Sequence, residues 1–218
     1  EMTPKQKEQY DAMAADAEVR IEEESLSATG ILAEYMRLKQ FAGARQRVTR
    51  FADGSLMVNA VKESGKLPHV MQILEERGIR PVKGNGKSEE AEEGDQQVVI
   101  ASQFSNIIDM YHEYLNEQGI AAEKITGDIS QKKRTELVRR FQAGEVRVML
   151  LTTTAGGVAI TLDNADTAII LDETWDPDDQ EQFEDRIHRM SRIHQVTCYY
   201  LRSRGTIEEY IMGLVGRK

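Results

Sequence analysis

The chain has 218 residues, enough for one large domain or one domain with an appendage. Its 40% hydrophobic and 30% charged residues are ordinary for a globular protein; no apolar run approaches the roughly 20 residues that span a bilayer, and no secretion signal opens the chain. A net charge of −9 argues against a general polyanion binder but permits a local basic groove, because phosphate contacts depend on where Lys and Arg sit.

Residues 1 to about 45 are rich in helix formers. Thr3-Pro4 supplies an N-cap followed by proline in the first turn, and the opening Glu1-Met2 is what an excised fragment would show. Ile31, Leu32, Tyr35, Leu38 and Phe41 recur at helical spacing, so a second helix is expected after Gly30. From 47 to 61 the period changes to two around Asp53-Gly54, which predicts a hairpin with a tight turn. Helical spacing resumes from Leu67 to Glu76 and stops at Gly78. Residues 83–95 carry almost no apolar side chains and read as a mobile loop or linker. Within them Gly86-Lys87-Ser88 imitates the end of a phosphate-binding loop. The full pattern needs a glycine five positions before Gly86, and Pro81 stands there.

From Gln97 short apolar strands alternate with helices. Strands are expected at 98–100, 121–125, 146–151, 168–171 and 195–201. Helices are expected from Phe104 to Gly119, from the Ser130 cap to Gly144, from Pro177 to Met190 and from Thr206 to Leu214. That alternation implies a parallel sheet covered on both faces, whose ligands sit in the loops at the carboxyl ends of the strands. Cys198 lies in the last strand; being the only cysteine, it forbids an internal disulfide and points to a packed thiol in a reducing compartment.

Four places could carry chemistry. On the helix from Gln182 to Met190, Phe183, Ile187 and Met190 share one face, as core residues would. Gln182, Arg186 and Arg189, spaced by four and three, share another. Two planar guanidiniums there suit the oxygens of a transferring phosphoryl group, and the same spacing also occurs on solvated faces, where Glu184 and Asp185 would balance the arginines. Thr152-Thr153-Thr154-Ala155-Gly156-Gly157 follows a buried strand, and its hydroxyls and glycines would let backbone approach phosphate; a simple turn reads the same way. Ser102-Gln103 and Thr126-Gly127-Asp128 follow two other strands, where helix capping explains the small polar residues equally well.

Taken in order, these segments resemble the second lobe of Swi/Snf-type superfamily-two helicase-like ATPases over residues 98–211. Ile100 to Phe104 looks like motif IV, and Thr126-Gly127-Asp128 with Arg134 and Phe141 looks like motif IVa. Thr153 to Leu162 looks like motif V, followed by Asn164-Ala165-Asp166. Asp172 to Pro177 is similar to the family's aspartate-x-x-tryptophan-asparagine-proline, and Gln182 to Arg189 to motif VI. The resemblance implies a RecA-like, mostly parallel α/β sheet with helices on both faces from 64 to 218, preceded at 1–63 by a helical arm and hairpin insertion. It implies ATP and Mg2+ shared with a first RecA-like lobe, which is itself a partner, double-stranded DNA as the other partner, and no membrane. Arg186 and Arg189 match the catalytic arginine fingers. Gln182, Gly156 and Gly157 match the nucleotide cleft and its coupling loop. Ser102, Gln103, Thr126, Gly127 and Thr153 fall where the family contacts the sugar-phosphate backbone, and Trp175 falls at a lobe interface or in the core. Met190-Ser191-Arg192 departs from the family's isoleucine-glycine-glutamine after the second finger, and Asp176 replaces its asparagine.

No strand in this sequence leads into a P-loop or ends in the paired acids that hold magnesium, so no residue is assigned to a metal and an ATP site here is expected to be half a site. The chain alone is therefore expected to bind DNA weakly and to turn over no nucleotide. A lobe of another superfamily-two helicase, acting on RNA or DNA, is the alternative. A non-catalytic interaction module with the same fold is a third reading.

Overall fold

The computed structural model describes residues 1–22, 28–81, 96–153, 162, 164–174, 182, 185 and 196–210, with only the backbone for 21, 22 and 28. The expected loop 83–95, most of the helix 177–190, the Met190-Ser191-Arg192 departure, Trp175 and the chain from 211 on lie outside the described residues. Two compact units are distinguished, Glu1–Pro68 with Arg202–Lys218, and His69–Leu201.

In the first unit, α1 (Pro4–Glu22) and α2 (Ala28–Gly43) precede a hairpin of β1 (Gln46–Arg50) and β2 (Leu56–Ala60). Thr3 Oγ1 accepts from the Gln6 amide at 3.2 Å while Gln6 Oε1 accepts from the Thr3 amide at 3.4 Å. This reciprocal cap satisfies two of the helix's orphan donors. Gln6 is fully buried, and its Nε2 donates to the last carbonyls of α2, Phe41 at 3.0 Å and Ala42 at 2.9 Å. The second helix begins at Ala28, two residues before Gly30, and its apolar stripe holds only toward its end. Ile31 and Leu32 are 44% and 51% exposed, whereas Phe41 and Ala42 are buried. The interior of α2 also takes Glu34, which meets Arg20 of α1 at 3.0 Å and Arg37 at 2.9 Å. The chain from Arg202 returns to this unit. Lys66 Nζ meets both Glu208 carboxylate oxygens at 2.7 and 2.9 Å with both side chains buried. Ser203 Oγ donates to Ala42 O at 2.8 Å, and Ile207 N donates to the Tyr10 hydroxyl at 2.7 Å.

The second unit is built on five strands, β3 (Val98–Ser102), β4 (Ala122–Ile125), β5 (Val148–Thr152), β6 (Thr167–Ile170) and β7 (Thr197–Tyr200), in the order β4-β5-β3-β6-β7. Every pairing is parallel, as the strand–helix alternation requires. The three central strands are buried along their whole length, so they read as continuous apolar runs. Successive side chains serve opposite faces. Val99, Ala101, Met149, Leu151, Ala168 and Ile170 cluster with Leu137 and Phe141 of α5 (Gln131–Gln142). On burial alone Phe141 and Leu137 contribute about 1.5–3 kcal/mol each. Against β3, β4 and β5 packs α4 (Ser105–Glu117), with Ile107, Ile108, Tyr111 and Leu115 buried and none of them in that cluster. The sheet is thus covered by different helices from different stripes. Ser130 caps α5 by accepting from Lys133 N at 3.4 Å, as its sequence position predicts. Gly78, at φ 70°, stops α3 (Leu67–Glu76) in the left-handed conformation that glycine adopts without strain.

Candidate functional site

Parallel pairing puts the carboxyl ends of all five strands on one rim of the sheet. Ser102 of β3 pairs with Thr152 of β5, Ile125 of β4 with Leu151, and Ala101 with Ile170 of β6. The residues one or two steps beyond are therefore Thr126-Gly127, Thr153, Ser102-Gln103 and Asp172, side by side across four neighbouring strands. The chain leaves β3 toward β4 on one edge and leaves β6 toward β7 on the other. The strand order therefore reverses between β3 and β6, the place where parallel sheets of this kind bind ligands.

Asp172 spans that reversal. It is buried, and its Oδ2 accepts from the Ser102 hydroxyl. Its Oδ1 accepts from the Gln103 backbone amide at 2.9 Å and from Gln103 Nε2 at 3.1 Å. Gln103 Nε2 also donates to the Glu173 carbonyl at 2.6 Å, and Ser102 Oγ accepts from Phe104 N at 3.0 Å. One carboxylate thus fixes the loop after β3 to the loop after β6. A buried anion is tolerable only when so hydrogen-bonded. Asp172 stood in the sequence as part of a motif and was assigned no site role. The signal available was an acid directly after the fully apolar Ala168–Leu171 stretch.

On the neighbouring strand Thr126 Oγ1 donates to Asp128 Oδ1. That bond, first among its causes, holds the Asp128 carboxyl below the usual range. Gly127 is exposed, and nothing lies within 4 Å of where a Cβ would stand, so its backbone is open to close approach. Thr153 has helical backbone and is buried, and its hydroxyl has no hydrogen-bond partner among the described residues. Leaving such a group unmatched costs about 1–3 kcal/mol. Beyond the Thr126 loop, α5 starts with no acidic residue in its first turn, and Lys132 and Lys133 are exposed there. Both add positive charge to that of the helix N-terminus.

The five residues expected at the nucleic acid, Ser102, Gln103, Thr126, Gly127 and Thr153, are thus brought to one rim. The hydroxyls of Ser102 and Thr126 are spent within the protein. Gln182 and Asp185 have helical backbone and are exposed. Gly156, Gly157, Arg186 and Arg189 lie outside the described residues.

Residues 79–191 match the helicase conserved C-terminal domain. The chain is 36% identical over 152 residues to the chromatin-remodeling ATPase INO80 of Neurospora crassa, covering 69% of this chain and 7% of that protein. It is 30% identical over 162 residues to transcription termination factor 2 of Drosophila melanogaster, covering 73% of this chain and 14% of that one. It thus spans a small fraction of either relative. Among solved structures, the SWI2/SNF2 ATPase core of Sulfolobus solfataricus in complex with double-stranded DNA superposes with a TM-score of 0.73 and 25% identity, over 100% of this chain and 42% of that one.

Proposed function

Because the chain belongs to the helicase conserved C-terminal domain family, as the C-terminal RecA-like lobe of a Swi/Snf-type superfamily-two ATPase, we propose that it is the second half of an ATP-driven motor that tracks double-stranded DNA. The observation that carries this reading is the rim itself. The carboxyl ends of β4, β5, β3 and β6 lie side by side on one edge of the sheet, and Asp172, just after β6, is hydrogen-bonded to Ser102 and Gln103 at the end of β3.

In this reading the exposed Gly127 backbone and the loop that carries Ser102 and Gln103 lie along the sugar-phosphate backbone of one strand, with Thr126 and Thr153 beside them. Gln182 faces the nucleotide cleft, where its exposure leaves the amide accessible. Arg186 and Arg189, four and seven positions further on, act as the fingers, and Gly156 and Gly157 couple the cleft to the DNA loops. ATP with Mg2+ supplies the phosphoryl group whose transfer drives the cycle. A first lobe holds most of it, since this sequence carries no P-loop and no acid pair for the metal. When the lobes close, the two guanidiniums neutralise charge developing on the transferring group. Closure shifts the rim along the backbone, and reopening resets it. The chain on its own turns over no nucleotide. An intracellular compartment that holds DNA follows from the partner.

Fingers of this kind are worth about 10³–10⁵ in rate. In the parent enzyme Arg189→Ala should cut steady-state hydrolysis by at least the lower bound while leaving nucleotide affinity intact. Preserved turnover would remove the fingers from the mechanism. For the 218-residue chain alone, clear ATP hydrolysis that Arg189→Ala abolishes would refute the half-site reading. Stimulation of the parent by single-stranded RNA but not by duplex DNA would reassign the substrate.

A further inference from the structure

We propose that the β1–β2 hairpin is a separate duplex-contacting arm, which enters a DNA groove with its two faces toward the two walls, Arg47 on one face and Arg50 on the other reaching phosphates, and Phe51 and Leu56 likewise against sugars and base edges. The proposal rests on the reading of this chain as part of a DNA motor and extends it to a surface that none of the motifs covers.

The hairpin is a built element. Its base is clamped to α1, since Gln9 Nε2 donates to Gln46 O at 2.7 Å and Gln46 N donates to Gln9 Oε1 at 2.8 Å. The side chain of Gln9 thereby acts as an extra ladder partner. Bonds from Arg45 N to Glu63 O at 3.0 Å and from Val61 N to Arg45 O at 2.9 Å continue the ladder below the strands. At the tip, Phe51 N donates to Ser55 O at 2.9 Å and Gly54 takes φ 85°. The Asp53 carboxylate accepts from Ser55 N at 2.9 Å and Ser55 Oγ at 2.6 Å. A rigid arm loses little entropy on binding.

Its surface is nonetheless unlike that of a hairpin meant for water. Beyond Gln46 at the base, β1 is exposed throughout, and β2 is exposed up to Ala60. Val48 pairs with Val58 and Arg50 with Leu56, so these four side chains share one face. On that face Val48, Leu56 and Val58 are 52%, 56% and 37% exposed, whereas Phe51 beside the turn, 44% exposed, follows Arg47 and Thr49 onto the opposite face. Clustered apolar side chains on an open face mark an interaction site.

Charge selects the occupant. Arg45 is neutralised by Glu63 at 3.1 Å. Neither Arg47 nor Arg50 has an acidic partner among the described residues, and between 46 and 60 the only acid is Asp53, turned into its own loop. On a chain of net charge −9, this arm is a positive island, complementary to phosphate. A second copy of the chain would bring the same arginines together, which like-charge repulsion disfavours. A two-stranded ribbon fits the major groove, about 12 Å wide, and Phe and Leu are the side chains that minor-groove arms wedge between base steps.

The test is anisotropy titration of the whole chain with labelled duplex from 50 to 200 mM salt, for wild type, Arg47→Gln/Arg50→Gln, Phe51→Ala/Leu56→Ser and the rim variant Gly127→Asp. Circular dichroism checks the fold, which these exposed sites should leave intact. The arginine pair should weaken binding about tenfold and lower the log–log salt slope by about 2, one unit per phosphate contact. The apolar pair should weaken binding with the slope unchanged. If the arginine variant binds like wild type while Gly127→Asp is weaker, the arm proposal falls and the motor reading stands. If the arginine variant is weaker and Gly127→Asp is not, the arm stands and the rim reading falls. Absence of any duplex binding by wild type at 50 mM salt, or a dimer that Val48→Lys dissolves, overturns the arm.

Discussion

Removing the Asp172 carboxylate is the most direct probe of the rim. Asp172→Ala strips the acceptor from the buried Ser102 hydroxyl and from the Gln103 amide. A hydrogen bond to a charged group contributes about 1.5–3 kcal/mol net. The Ser102 bond should count in full because nothing replaces it. The Gln103 amide is part-buried, so water recovers some of its loss, and Gln103 Nε2 keeps the Glu173 carbonyl at 2.6 Å. The expected cost is then about 2–4 kcal/mol, against a total stability of roughly 5–15 kcal/mol. Asp172→Asn retains one acceptor oxygen and turns an NH2 toward a donor, and should fall between the two. The assay is urea unfolding of the chain followed by circular dichroism and by the fluorescence of Trp175, the single tryptophan. In a double-mutant cycle, Ser102→Ala with Asp172→Ala should show coupling of about 1 kcal/mol or more. A loss below about 1 kcal/mol, or strict additivity in the cycle, would refute the idea that this carboxylate holds the two loops together.

Two further outcomes follow from buried or half-buried charge. Lys66→Met leaves the buried Glu208 carboxylate without the Lys66 cation, while the Ser203 amide at 2.7 Å still donates to it; the loss in urea should be about 3–5 kcal/mol, while Lys66→Met/Glu208→Gln recovers much of it. Burial, aided by the Lys124 charge, pushes His112 below its ordinary value, so the unfolded chain takes up the proton first. Its contribution is present above about pH 6.5 and is lost as pH falls from there toward the folded value. His112→Gln should flatten that limb of the stability–pH curve, and an NMR titration showing His112 above its ordinary value would contradict it.

Where burial follows period, the sequence was enough. The stretch from Leu67 to Glu76 with its stop at Gly78, the central strands and the Ser130 cap all rest on local spacing and a cap residue. Those signals carry their own physics within a few residues. The sequence missed what is settled by distant partners. Periodicity assigned Ile31 and Leu32 to a buried stripe, yet the interior of α2 takes Glu34, because Arg20 and Arg37 neutralise it there. Nothing in the neighbourhood of Glu34 announces a cation fourteen residues upstream. The return of the chain to its first unit rests on Lys66 and Glu208, 142 positions apart, and a linear reading sees two unrelated charges. The site shows the same division. Small polar residues after apolar strands located the rim, but which of them are free depends on Asp172 and Asp128.

In the proposed motor, that dependence bears on how such a rim would handle DNA. If Ser102 and Thr126 offered free hydroxyls, each would be a rotatable donor and acceptor able to pair with base edges as well as phosphates. Bound as they are to carboxylates, they stiffen the loops, as does Gln103, whose Nε2 donates to Asp172 and to the Glu173 carbonyl, and the exposed Gly127 backbone is left as a reachable polar group. Contacts to phosphate and sugar fix register without reading sequence. A motor that advances along DNA must release and remake equivalent contacts at every step, whatever bases it meets. A rim whose base-reading groups are tied internally meets that requirement, and it places the burden of geometry on Asp172. Asp172, to which the proposed function assigns no direct role at the nucleic acid, is therefore the residue on which the spacing of the proposed contact groups depends.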